Sequence, residues 1–357
     1  MNSLIKKIDW QMIISVFVLI GAGLLSLLSS KPDLFYKQIV WVVIGGAFGL
    51  FFTMVDLRSF FSHKSVIRWL FLTIVFVLIG TFIFAPSIKG NRSWIVFGSF
   101  QFQPSEFAKI VLIITLSYFF SRAHVKIAYW KTIVSSFLIS AILGFLVAIL
   151  PDMGSALVLF AIWFGFVLVS GIPLKRFVIL GLVFILGFFL LWTLVLKPYQ
   201  KERIIGIFFP EKDPTGVNYQ VIQSKIAIGS GGFFGKGFGQ GTQVQLGFLP
   251  EAQTDFIFAA IVEEGGLFVS LILLGAFGFL ITRILKVGSL IDGNFNKFFC
   301  LGTSILFLSQ FILNVGSNIG LLPVVGVTLP FVSYGGSSIF TNLVLIGIIQ
   351  SIWVRRI

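Results

Sequence analysis

Four carboxylates, Glu251, Asp255, Glu263 and Glu264, stand at the edge of and inside the otherwise apolar stretch EAQTDFIFAAIVEEGGL, residues 251–267. A carboxylate at a helix start can cap free N–H groups, or it can take a proton from an attacking hydroxyl. Capping accounts for Asp255 but not for Glu263, which a helix would carry about 12 Å further along and ~80° around. Glu264 would then point nearly the opposite way. A second group is QFQPSEFAKI, where Glu106 and Lys109 share one face of a helix that opens at Pro104 and Ser105. In LPDMGSA, Asp152 follows Pro151 in a tight turn, where it serves as a helix N-cap or as a functional acid. Finally, LPFVSYGGSSIF puts Ser333, Gly335, Gly336 and Ser337 at the start of the last apolar run. Small hydroxyl residues and free N–H groups there suit a phosphate, and close helix packing through Gly and Ser is the competing explanation.

The elements that position these residues are set by composition: 57% of the 357 residues are hydrophobic and 11% are charged, far below the charged content of soluble domains. Apolar runs near membrane-spanning length fall at residues 10–29, 36–55, 66–85, 104–121, 131–150, 153–171, 174–196, 256–282, 297–320 and 331–353. The reading is an all-α integral membrane protein of about ten transmembrane helices, forming a single transmembrane domain over 1–357. The first run carries no small-residue cleavage pattern and reads as a retained span, not a signal peptide.

The net charge of +13 follows the positive-inside rule and does not point to nucleic acid. Lys6–Lys7, Arg58–Arg68, Arg122–Lys131, Lys175–Arg176, Arg283–Lys297 and Arg355–Arg356 carry most of the basic residues. This places both termini in the cytoplasm and residues 197–254 outside, as a large extracytoplasmic loop between helices 7 and 8. The short outer loops hold only Lys31, Lys37, Lys89 and Arg92. Most acids then lie at the outer face, and the chemistry faces outward.

Lys109 sits about one turn inside a span, where an ammonium needs a partner or must snorkel. Glu106 is one partner. The acids of the eighth span need a cation too, and Lys109 is the candidate in the outer half of the spans, so a Lys109–Asp255 contact is expected. In the long loop, SGGFFGKGFGQG fails the Walker pattern, because Ser230 and Gly237 stand where Gly and Ser or Thr are required. NYQVIQSKIAI reads as a short interfacial helix, and the glycine run after it as a backbone able to approach a ligand closely or change shape. No metal-ligand spacing is present, the two histidines, His63 and His124, fall in cytoplasmic loops, and Cys300 reads as a small buried apolar residue.

With these blocks in hand, the chain resembles the SEDS family (shape, elongation, division and sporulation), in its RodA-like elongation branch. FQPSEFAKI, PDMGSALVL, VIQSKIAIGSGGFFGKG, GTQVQLGFLPEAQTDFIFAAIVEEGGL and LLPVVGVTLPFVSYGGSS carry the resemblance, in order and over nearly the whole chain. One departure is Gln253, where many members have histidine. The resemblance implies peptidoglycan glycosyltransfer from lipid II on the outer face of the bacterial cytoplasmic membrane. It also implies an essential acid at Asp255, functional positions at Glu106, Lys109 and Asp152, and a class B penicillin-binding protein as transpeptidase partner within a membrane elongation complex.

The chemistry fits the implied activity. A sugar 4-hydroxyl must attack an anomeric carbon while undecaprenyl diphosphate leaves, and Asp255 is in position to take the proton. Lys109, Arg203, Lys225 and the helix start at Ser333–Ser338 are candidates to neutralise the diphosphate, with a divalent cation such as Mg2+ as a further means. The rival readings are a lipid II flippase, because intramembrane charges also mark transporters, a division-type polymerase, and a scaffold without catalysis.

Overall fold

A computed structural model describes residues 7–86, 93–98, 100–123, 129–195, 198–209, 216 and 218–356. Lys6, Lys89, Arg92, His124 and Lys126 lie outside the described residues, and so does the side chain of Arg203. Among the described residues, nine helices are long and apolar enough to cross a membrane, and one shorter apolar helix, Met153–Val169, joins them. All ten fall on the apolar runs.

In chain order, the first half contains α1 (Trp10–Ser30), α2 (Pro32–Met54), a single turn α3 (Arg58–Ser62), α4 (Lys64–Phe84), α5 (Pro104–Ala123), α6 (Trp130–Ile149) and α7 (Met153–Val169). The hairpin β1 (Ile95–Phe97) and β2 (Phe100–Phe102) lies between α4 and α5, antiparallel with Ile95 opposite Phe102. The second half has α8 (Leu174–Leu190), which passes into a π-helical turn, Leu191–Val195. It continues with α9 (Pro198–Phe208), α10 (Tyr219–Ser230) and the short α11 (Thr242–Gln245) in the long loop, then α12 (Ile257–Leu290), α13 (Asn294–Asn318) and α14 (Gly336–Val354).

Two boundaries differ from the apolar pattern. α12 runs to Leu290, past the end of the apolar run, because Arg283 and Lys286 are good helix formers that can carry a helix into the headgroup layer. The last helix starts at Gly336, not at 331. Pro330 supplies no N–H, Phe331 takes a positive φ of 66°, and the Ser333 hydroxyl accepts from Leu329 N at 2.9 Å, so LPFVSYG forms a loop.

The last helix is the most deeply buried of the membrane-length helices among the described residues. It packs along α2 through glycines: a Cβ on Gly347 would fall 2.3 Å from Gly49 O, and one on Gly45 2.9 Å from Leu343 Cδ1. Without a hydrophobic drive between helices in lipid, such close backbone approach supplies the dispersion contact. At the opposite end from the acids, Asp9 caps α1, exchanges hydrogen bonds with Gln350 of α14 and pairs with Arg283 of α12 at 2.6 Å. This fixes three helices to one another.

Candidate functional site

Asp255 lies in the turn before α12. The N-cap of that helix is Phe256, which has no side-chain capping bond, so the cap comes from elsewhere. Asn318, at the end of α13, accepts the Ala259 N–H on Oδ1 at 3.0 Å. Its Nδ2 donates to Asp255 O at 2.8 Å and to Asn314 O at 2.8 Å. Asn314 donates to the same Asp255 carbonyl at 3.0 Å and to Val327 O at 2.8 Å. Both asparagines are buried. The main chain of Asp255 is thus clamped by two carboxamides, while its half-buried carboxylate lies on the side of Gly326. A helix cap was the bland reading of Asp255; the capping is done by Asn318.

The loop before α14 is tied to the same turn. Ser333 Oγ donates to Thr254 O at 2.7 Å, and Tyr334 N to Gln253 O at 2.9 Å. Burial raises the Tyr334 hydroxyl pKa, which keeps the phenol neutral. Gln38, a buried residue of α2 that the motifs did not single out, donates to Ser333 O and accepts from Gly335 N, both at 3.3 Å. Its signal was a glutamine close to the start of an apolar run. Gly336 lies against the Trp41 indole, where a Cβ would be 2.2 Å from Nε1, and Ser337 Oγ accepts Gln103 N at 2.9 Å. The glycine and serine groups of this segment therefore have close protein partners, as the packing reading expects.

Asp152 caps α7 through Ser155 N at 3.0 Å, as its turn suggests, and also accepts from Gln103 Nε2 and Ser105 Oγ, each at 2.7 Å. It therefore joins the N-terminal ends of α5 and α7, and Gln103 extends the network to Ser337 of α14. The next contact reaches Asp255: Gly154 packs under Val325 O and Val327 Cγ2, and Val327 O is bound by Asn314. Asp152, Ser105, Gln103, Ser337, Asn314 and Asp255 belong to one connected cluster.

Lys109 is 2% exposed and Glu106 5%, and they pair at 2.6 Å. Among the described residues Glu106 is the one ion-pair partner of Lys109, so the expected Lys109–Asp255 contact is not formed. A desolvated ammonium takes the carboxylate it meets at least conformational cost, here one turn away on its own helix. The expected cationic counterpart of the deeper acids is corrected as well. Glu263, fully buried two turns into α12, accepts from Lys236 Nζ at 2.9 Å, Thr242 Oγ1 at 3.3 Å, Gln243 N at 2.9 Å and Val244 N at 3.2 Å. Its neighbour Glu264 binds Ser29 Oγ and Gln245 Nε2.

The glycine run is held against this helix. α12 breaks at Gly266, with φ 69° and ψ −172°, and the freed backbone groups need partners. Lys236 N and Gly237 N donate to Glu263 O and Glu264 O, and Leu267 N and Phe268 N donate to Gly232 O and Phe233 O. A Cβ on Gly235 would lie 2.1 Å from Glu264 O, so the glycines are there to let two backbones meet. Lys225, on α10, is exposed and lies over Gly320, just past the C-terminal end of α13. Arg203 is on α9, with its side chain outside the described residues. Among the described residues no group of three or more His, Cys, Asp and Glu side chains could hold a metal ion.

Comparison with known proteins finds matches over nearly the full chain. Residues 3–356 match the cell cycle protein family FTSW_RODA_SPOVE. Relatives include the "Probable peptidoglycan glycosyltransferase FtsW" of Thiomicrospira cyclica, 34% identical over 98% of this chain and 92% of the relative. The peptidoglycan glycosyltransferase MrdB of Escherichia coli is 37% identical over 81% of this chain and 78% of the relative. Among solved structures, a chain from a peptidoglycan synthase complex that coordinates polymerization and crosslinking superposes with a TM-score of 0.83 at 31% identity, covering 98% of both chains. The rod shape determining protein RodA of Thermus thermophilus gives 0.73 at 26%, covering 98% of this chain and 97% of that one. A helical bundle with acids gathered at one end, matched from residue 3 to residue 356, belongs to the SEDS family: the chain is a peptidoglycan glycosyltransferase and a multi-pass protein of the bacterial inner membrane.

Proposed function

We propose that this chain polymerises lipid II on the outer face of the membrane, with Asp255 as general base. The observation that carries the reading is the double carboxamide clamp on the Asp255 carbonyl. It fixes the backbone of an acid whose side chain is left half-exposed, as a base that must meet a substrate hydroxyl requires. Asp255 takes the proton of the acceptor 4-hydroxyl, the oxygen bonds to the donor anomeric carbon, and the undecaprenyl diphosphate leaves. Lys225, exposed midway along α10, is a candidate for the diphosphate. Asp152 holds the ends of α5 and α7 that line the approach.

The elongation role is also proposed. It rests on GTQ at 241–243 and on the similarity to MrdB, and it brings a class B penicillin-binding protein as partner, in line with the synthase complex that this fold matches. Restoration of rod shape in cells depleted of their own elongation polymerase, without rescue of a division polymerase, supports that role; the reverse pattern assigns the chain to division.

The test of the activity is direct. In detergent there are no leaflets, so transport has no meaning, whereas polymerisation proceeds. Purified protein with a class B partner, lipid II and Mg2+ gives muramidase-sensitive glycan, and the Asp255→Asn protein loses at least ~10²-fold, the low end for removing a general base. A wild type that is silent in detergent yet moves labelled lipid II across vesicles would make the chain a transporter.

A further inference from the structure

Gln310 of α13 is fully buried, and neither its Oε1 nor its Nε2 meets a partner among the described residues. One turn outward on the same helix, Asn314 uses its Nδ2 on Asp255 O and Val327 O, while its Oδ1 is likewise buried and unmatched. An unmatched buried amide is rare and costly, and two of them one turn apart on one face are not a packing accident.

Their surroundings follow from helix register. Gly302 of α13 packs on Ile113 of α5, a Cβ there falling 2.9 Å from Ile113 Cγ2. The two helices run antiparallel, since the Asn314 end of α13 and the Ser105 end of α5 meet through Val327, Gly154 and Asp152. Gln310 lies eight residues outward from Gly302, about 12 Å, while Lys109 and Glu106 lie four and seven residues outward from Ile113, about 6 and ~10 Å. The amide is therefore level with the Glu106 end of the ion pair. Glu106 is ~20° around α5 from the side that Ile113 turns to α13, and Gln310 is ~80° around α13 from the side that Gly302 turns to α5, so the amide flanks the contact between the two helices.

The valences on the two sides complement each other. The Lys109 ammonium carries three donors and has one partner among the described residues, Glu106 at 2.6 Å. About 6 Å further outward along the helix axes is the Gln310 amide, with an unmatched carbonyl oxygen and an unmatched NH2, and the unmatched Asn314 oxygen lies one turn beyond it. Buried water typically makes about three hydrogen bonds to such groups. The geometry points to a hydrated polar site between α5 and α13, in which Gln310 is a positioning residue, joining the Lys109–Glu106 pair through water to Asn314 and so to the Asp255 backbone. The row Gln310, Asn314, Asn318 on α13 then makes the ion pair and the acid one mechanical unit.

The inference rests on the reading of Asp255 as the base, and the experiment separates the two. Gln310→Met keeps length and volume and removes every hydrogen-bonding group; Gln310→Asn keeps the amide and leaves room for one more water. Each is purified with Asp255→Asn alongside, and thermal stability and the lipid II dependence of glycan synthesis are measured. Gln310→Met is expected to melt only slightly lower than wild type, because it removes a water-bridged contact but leaves no polar atom of its own buried. Its kcat is expected to drop by ~10-fold or more at unchanged KM, through loss of positioning. Gln310→Asn is expected to stay within ~3-fold of wild type, since bridging water is nearly as good as a direct bond. Full kcat in Gln310→Met, a marked fall in its stability, or Gln310→Asn as slow as Gln310→Met would overturn the proposal. An active Asp255→Asn protein would instead overturn the general-base reading on which it rests.

Discussion

Asn318→Leu is the substitution that asks whether the clamp sets the catalytic geometry. It keeps close to the shape of the side chain without adding a charge, but removes the oxygen that accepts Ala259 N–H at 3.0 Å and both donations, to Asp255 O at 2.8 Å and Asn314 O at 2.8 Å. Polar interactions between helices in membranes average about 0.6 kcal/mol and reach ~1.7 at most. Losing three such bonds costs about 2 kcal/mol. Asn314 still holds Asp255 O at 3.0 Å, so the chain stays folded. With one clamp gone the turn at Asp255 relaxes, and a shift of about 1 Å in a catalytic group costs ~10²-fold in rate. The expected result is a modest loss of thermal stability with a ~10²-fold lower kcat for glycan synthesis from lipid II and a nearly unchanged KM. A protein that loses the stability but turns over like wild type refutes the clamp as a catalytic device and leaves it as a helix cap.

Three further outcomes are expected. Lys109→Met strands the buried Glu106 and lowers stability by up to ~3–5 kcal/mol; adding Glu106→Gln restores most of it but not activity, and recovery of activity in the double variant would make the pair purely structural. Glu263→Gln keeps the volume but weakens the hold on Lys236, so residues 231–249 gain hydrogen exchange and protease sensitivity; unchanged protection would show that the backbone bonds to Glu263 O and Glu264 O suffice. Reporters fused after Lys64, Arg176, Lys286 and the C-terminus should read cytoplasmic and one near Thr215 external; a cytoplasmic 197–254 loop would put Asp255 in the wrong compartment.

The spans were legible because lipid requires runs of apolar residues, and ten such runs gave ten helices. Local polar geometry was legible too: the i, i+3 spacing of Glu106 and Lys109 and the turn at Asp152 both produce the contacts that their spacing suggests. What could not be read is pairing across the chain. Nothing in the sequence says that Lys236, 27 residues upstream, reaches Glu263, so the carboxylate was matched to the one cation visible inside a span. Asn314 and Asn318 look like ordinary polar residues at a helix end, and Gln38 like a lone exception in an apolar run; their value comes only from the backbone groups they meet. Gly266 was one glycine among 37 until the loop that needs its conformation was in place.

The acids of a single short segment have separate fates, and the separation follows from the solvent. Inside the bundle a bare carboxylate is expensive, so Glu263 is surrounded by an ammonium, a hydroxyl and two backbone N–H groups, and its lone pairs are used up. Such a group can hold a loop but cannot accept a substrate proton. At Asp255 it is the backbone carbonyl that takes two buried amides, and the side chain is half-buried. The broken helix links the two, because the glycine loop that closes the gap at Gly266 is the same loop that Glu263 holds. It packs Val244 and Leu249 against Phe256 beside Asp255. Through this loop the deep acid therefore fixes a wall beside Asp255, the residue proposed as the base.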